Sequence, residues 1–97
     1  MMNQLFKMIE HNKTTTWWVY LLRCSDNSLY AGVTTDIHRR IDEHNNSKLG
    51  AKYTRARRPV SLAYIEEADN KSLACKREYK IRHLAKVKKE LLVSNYL

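Results

Sequence analysis

Five polar side chains in this chain could together hydrolyse a phosphodiester: Tyr20, Tyr30, Arg40, His44 and Glu78. Taken singly, each has a commoner structural explanation, as a satisfied core tyrosine, an exposed histidine or a solvated helix residue. As a set they supply what the reaction needs. Hydrolysis requires a proton acceptor for the attacking water, cationic donors for the trigonal-bipyramidal phosphate and stabilisation of the leaving oxyanion. A guanidinium fork suits phosphate oxygens. One carboxylate is too few for an all-protein Mg²⁺ cage, but Mg²⁺ keeps several waters and draws further ligands from substrate phosphate.

The local elements must bring these groups together. Thr16 to Cys24 is rich in aromatic and branched residues, as a buried strand should be. Ser25 to Ser28 carries strong turn chemistry, and Leu29 to Thr34 is the return strand. Side chains alternate along a strand, so a two-residue loop at Asp26 and Asn27 would set Tyr20 and Tyr30 on opposite faces. A single site using both tyrosines requires a loop of odd length or a bulge. Asp36 is an expected N-cap for a helix to about Asn46. On its wheel Ile37, Ile41, Arg40 and His44 share an arc of ~100°, whereas Arg39 points away, spaced to pair with Glu43. Pro59 is expected to open a third strand, with Val60, Leu62 and Tyr64 alternating against Ser61 and Ala63. Asp69 or Asn70 caps a second helix to about Leu84 or Ala85, with an apolar stripe of Leu73, Ala74, Ile81, Leu84 and Ala85 and Glu78 at its edge. Lys86 to Leu92 either prolongs that helix or forms a further short one.

With 97 residues and 43% hydrophobic content, the chain is expected to form one globular domain over 16–97, after an extension over 1–15 that is partly disordered or a short helix. Its longest apolar run is far too short for a bilayer, and no signal peptide is recognisable, which points to a cytoplasmic protein that does not engage a membrane. Cys24 and Cys75 are expected to be buried free thiols. The net charge of +8 favours a polyanionic partner. Between His44 and Ile65 there is no acid, while Lys48, Lys52, Arg55, Arg57 and Arg58 surround Tyr53 in what is expected to be a loop. Basic residues interleaved with an aromatic suit a nucleic-acid backbone, although a solvated basic loop has the same composition.

Trp18-Val19-Tyr20 followed by Tyr30-Ala31-Gly32 resembles the paired tripeptides of the GIY-YIG endonuclease superfamily. The resemblance extends to Arg40, eight residues after Gly32, and to His44, four further on, and places the family's metal-binding glutamate at Glu78. It covers about Trp17 to Leu84, and the segment GAKYTRARRPV resembles the small stand-alone bacterial branch, similar to the N-terminal nuclease domain of excision repair. The resemblance implies an α+β fold, a three-stranded antiparallel sheet flanked by helices, and hydrolysis of DNA with a single Mg²⁺ or Mn²⁺. It implies Tyr20 as general base, Tyr30 orienting water or phosphate, Arg40 on the pentavalent phosphate, His44 assisting proton transfer or phosphate binding, and Glu78 on the metal. A phenol with a pKa near ~10 is a poor base at neutral pH, so Arg40 and the cation are expected to lower that of Tyr20. Trp18 and Ala31 depart from the family's glycine and isoleucine, and Asn95 is left without a role. The expected substrate is DNA, whether branched, damaged or partly single-stranded, cut by a monomer whose target specificity could come from a protein partner. A nucleic-acid-binding module with negligible turnover is the alternative, and a protein for structured RNA a more distant one.

Overall fold

The computed structural model describes residues 15–96, so the expected N-terminal extension lies outside the described residues apart from Thr15. Strands β1 (Trp17–Arg23), β2 (Leu29–Thr34) and β3 (Ser61–Ala68) form one antiparallel sheet in the order β2-β1-β3. Among the described residues four helices accompany it: α1 (Ile37–Asn46), the single turn α2 (Lys52–Arg55), α3 (Lys71–Arg82) and α4 (Lys86–Tyr96). The fold is α+β, as expected.

β1 is the central strand and is covered on both faces. Val19 and Leu21 join Ala31, Ala63, Ala74, Ile81 and Val93 in one cluster under α3 and α4. Tyr20 and Leu22 point the other way, towards Val60 and the α1 residues Ile37 and Ile41. All four consecutive residues from Val19 to Leu22 are therefore buried, which explains why this strand reads as an unbroken apolar run.

The hairpin loop determines what the sheet presents. Five residues, Cys24 to Ser28, separate β1 from β2. Cys24 N donates to Ser28 O at 2.9 Å, and Asn27 N donates to Cys24 O at 2.9 Å. Asn27 takes the left-handed conformation, with φ 70, that asparagine tolerates better than most residues. Asp26 Oδ1 accepts from Ser28 N at 3.0 Å and stiffens the turn. This odd loop sets Tyr20 opposite Gly32 and Leu22 opposite Tyr30, so both tyrosines lie on the α1 face.

α1 starts where Asp36 accepts a hydrogen bond from Arg39 N at 3.0 Å. At its other end Arg58 donates to His44 O and to Ser47 O, both at 2.6 Å, closing carbonyls that the helix leaves unpaired.

Several expectations are corrected. β3 begins at Ser61 rather than Pro59, which follows a cis peptide bond. A bulge between the partners of Leu21 and Leu22 breaks the expected alternation, so Ala63 is buried while Leu62 is 38% exposed. α3 ends at Arg82, capped by His83, short of Leu84, and of the two alternatives for the segment from Lys86 the structure has the separate helix, α4. The face of α3 that meets the sheet carries Ala74 and Ile81 with Arg77 and Glu78 half-buried beside them, whereas Leu73 is exposed. Glu78 therefore flanks the sheet-facing stripe of Ala74 and Ile81, at its edge. The basic loop contains the helical turn α2. Cys24 is buried and Cys75 exposed, both free thiols. Among the described residues no helix is long and apolar enough to cross a membrane.

Candidate active site

A cleft of about 370 Å³ runs along the edge strand β2, lined by Tyr20, Tyr30, Ala31, Gly32, Val33, Arg40, Glu78 and Arg82. Its two walls come from opposite sides of the sheet. α1 supplies Arg40 from the face that holds Tyr20 and Tyr30, and α3 supplies Glu78 and Arg82 from the other. An edge strand permits this, because no neighbouring strand separates the two helices there.

Gly32 is dictated by Tyr20. The two residues are directly opposed, and a Cβ at Gly32 would lie 2.3 Å from Tyr20 Oη and 2.5 Å from Cζ. The phenol thus crosses the edge strand through the space a side chain would fill. Behind it Tyr20 Oη is 2.9 Å from His44 Nε2, and His44 Nδ1 is 2.7 Å from Thr54 Oγ1. Thr54 Oγ1 in turn donates to Ala51 O at 3.0 Å. With the threonine proton on Ala51 O, His44 Nδ1–H donates to Thr54 and the Nε2 lone pair accepts from Tyr20, the tautomer adopted here; the Ala51 N–H, 3.4 Å from Nδ1, is the one donor that opposes it. His44 is fully buried, and burial together with the charges of Arg40 and Arg58 pushes its pKa down to about 4. The imidazole is neutral at pH 7, as this tautomer requires.

Tyr20 lines the cleft with only 1% of its surface exposed, and burial pushes its pKa up to about 12. Arg40 opposes that shift through a hydrogen bond and its charge, yet burial outweighs it. The expected lowering by Arg40 is present in direction and smaller than the desolvation. Arg40 itself is held by Glu43 at 2.7 Å and by Leu49 O at 2.8 Å. Glu43 also reaches Arg39 at 3.7 Å, so the acid that spacing assigned to Arg39 alone is shared and lies closer to Arg40.

Tyr30 meets His44 edge-on, with ring centroids 5.3 Å apart, and stacks on Tyr53 at 5.8 Å. Its pKa is raised, chiefly by burial. Arg57 covers the outer face of Tyr53 at 3.7 Å and pairs with Asp26 at 3.0 Å. The basic segment is thus divided. Tyr53 and Arg57 continue the aromatic wall, Arg58 is bound to the α1 carbonyls, and Lys48, Lys52 and Arg55 are exposed.

Glu78 pairs with Arg82 at 2.8 Å across one turn of α3. Among the described residues no three His, Cys, Asp or Glu side chains cluster as a metal cage. A lone carboxylate on an open cleft nevertheless fits a hydrated hard cation that completes its shell with water and phosphate oxygens, and does not fit zinc.

Sequence reasoning missed Thr54, Gly50, Arg82 and the role of Glu43. Thr54 had a faint signal, as a small branched polar residue inside a basic run. Gly50 carries the loop against α1, where a Cβ would lie 2.6 Å from Glu43 O and 2.9 Å from His44 Cα. That approach brings the following turn, and with it Thr54, to His44.

Comparison with known proteins shows the family and the fold. The GIY-YIG catalytic domain profile matches residues 16–90. A UPF0213 protein of Desulfotalea psychrophila is 53% identical over 79% of this chain and 70% of its own length. The UPF0213 protein YazA of Bacillus subtilis is 44% identical over 84% of this chain and 81% of its own. The solution NMR structure of the UPF0213 protein BH0048 from Bacillus halodurans, 47% identical, superposes with a TM-score of 0.52 over 81% of this chain and 83% of its own. The protein EF2693 from E. faecalis, 37% identical, superposes with a TM-score of 0.57 over 84% and 85%. The chain belongs to the GIY-YIG catalytic domain family, a family of nuclease domains.

Proposed function

We propose that the protein is a metal-dependent DNA endonuclease, selecting branched, damaged or partly single-stranded DNA by structure and acting in DNA repair or processing in the cytoplasm. The observation that carries this reading is the convergence of Tyr20, Tyr30, Arg40 and Glu78 on one cleft, with His44 hydrogen-bonded behind Tyr20. Arg40 binds the phosphate and stabilises the charge it gains in the transition state. As the water oxygen attacks phosphorus, its proton passes to Tyr20 Oη while the phenol's own proton passes to His44 Nε2. This relay suits a phenol whose free ionisation lies near 12, because a free phenolate is never required. The proton stays on His44 only in passing, since holding it at pH 7 costs about 4 kcal/mol with a pKa near 4. Tyr30 orients the water or phosphate, and Glu78 holds the cation. A single Mg²⁺ or Mn²⁺ there supplies a Lewis acid for the phosphate and the departing oxygen. Lys48, Lys52 and Arg55, together with Tyr53 and Arg57, track the DNA backbone outside the cleft.

Binding without turnover is the competing reading, and the Arg82 guanidinium on Glu78 favours it. Nicking of supercoiled plasmid and of branched DNA, with Mg²⁺ or Mn²⁺, separates the two. Metal-dependent nicking that is lost in Glu78→Gln and Tyr20→Phe is expected. Tight binding with no nicking under any metal would contradict the enzyme reading.

A further inference from the structure

Arg40 and Arg82 both line the cleft, and each is paired with a carboxylate on its own helix. Their restraints differ. Arg40 is fixed by Glu43, by the Leu49 carbonyl and by the neighbouring Tyr20 hydroxyl, with its side chain 25% exposed. Arg82 has one carboxylate partner, Glu78, and its side chain is 52% exposed. It is also the last residue of α3, where no following helical turn confines it, and its guanidinium lies 5.3 Å from the exposed Tyr79 ring. An arginine so placed can leave its carboxylate without disturbing the core.

We propose that Arg82 is a second phosphate-binding residue of the cleft, which competes with the divalent cation for Glu78 and turns to a DNA phosphate oxygen when the cation takes that carboxylate. The inference rests on the metal-dependent nuclease reading, and it gives each side of the cleft one arginine for the DNA backbone. Glu78 cannot serve both partners at full strength. A cation at the carboxylate repels the guanidinium, and a phosphate ester in the cleft offers the freed planar fork its two non-bridging oxygens at close range. DNA binding and cation binding then favour each other, since each removes a competitor of the other.

The test uses the intact chain and two binding measurements. Mn²⁺ affinity is read by electron paramagnetic resonance in the wild type, Arg82→Gln and Glu78→Gln. Affinity for a short branched DNA is read in EDTA, where no cleavage occurs, for the same proteins and the double variant. Arg82→Gln is expected to tighten Mn²⁺ by about three- to tenfold, as loss of a half-exposed competitor and of one nearby positive charge allows. In EDTA, Glu78→Gln is expected to tighten DNA binding about tenfold in the wild-type background and distinctly less when Arg82 is also replaced. An unchanged Mn²⁺ affinity in Arg82→Gln, or a gain from Glu78→Gln that ignores Arg82, overturns the proposal. Undiminished Mn²⁺ binding by Glu78→Gln would instead remove the metal reading of Glu78, and with it the competition. The DNA comparison would then still decide whether Arg82 reaches phosphate.

Discussion

The two walls of the cleft are built on different principles. On the α1 side, Tyr20, His44 and Thr54 are buried, and each polar atom is matched to another in a chain that ends on the Ala51 carbonyl. On the α3 side, Glu78 and Arg82 meet in a single ion pair at a partly open surface. A buried network has one low-energy arrangement, because an unmatched donor or acceptor there is costly. A surface pair is worth little and rearranges freely. The first wall is suited to holding a proton-transfer geometry fixed, the second to exchanging ligands.

Substitutions can break this contrast. The largest effect is expected at Arg40, where Nη1 alone holds Glu43 and Leu49 O and the rest of the fork is left for phosphate; lysine keeps the charge and loses that fork. Cleavage by Arg40→Lys should fall roughly 10²- to 10³-fold, the scale of losing one preorganised donor. Single-turnover kinetics measure this, and a rate within a factor of about three of wild type would mean that charge alone suffices.

Stability should also depend on pH through the α1 wall. The fold favours neutral His44 and holds its pKa near 4, below the unfolded value of 6.5. Between these values the unfolded chain binds the extra proton, so stability falls as pH drops from 6.5 to 4, by up to about 1.4 kcal/mol per unit. Glu90, held near 2 by Arg23 and Lys86, acts in a lower window. Its contribution is present above its ordinary value of 4.5 and is lost as pH falls through 2. Denaturant melts from pH 7 to 4.5 isolate the histidine, and His44→Gln should flatten that part of the curve.

Gly32→Ala should cost about 1–3 kcal/mol, the scale of overpacking, because the added methyl displaces the Tyr20 phenol from His44. A thermal melt reads the loss. An unchanged midpoint would show that the edge strand yields instead of the tyrosine.

The same contrast explains what the sequence disclosed. The shared face of Arg40 and His44 was legible because helical period is a local rule that holds in α1, whereas that of Tyr20 and Tyr30 stayed open, since the turn residues allowed a loop of even or odd length. Glu78 came from the family resemblance, since the apolar residues of α3 suggested a different inner face. Leu73 is exposed because the sheet-facing stripe runs through Ala74 and Ile81, with Glu78 at its edge beside the small residues Ala31 and Gly32. Thr54 escaped notice because its role arises from Gly50 bringing a loop onto α1, a tertiary contact with no periodic trace. The bulge that buries Ala63 is likewise imposed by pairing with β1.

The proton relay from Tyr20 to His44 is the centre of this account, and nitrogen-15 NMR of the His44 ring at pH 7 tests it without turnover. A neutral imidazole is expected, with its proton on Nδ1 and an unprotonated Nε2 accepting from Tyr20. Thr54→Val should weaken that preference by removing the Nδ1 acceptor. A proton on Nε2, or an imidazolium at neutral pH, would contradict the relay, because His44 could not then receive the tyrosine's proton.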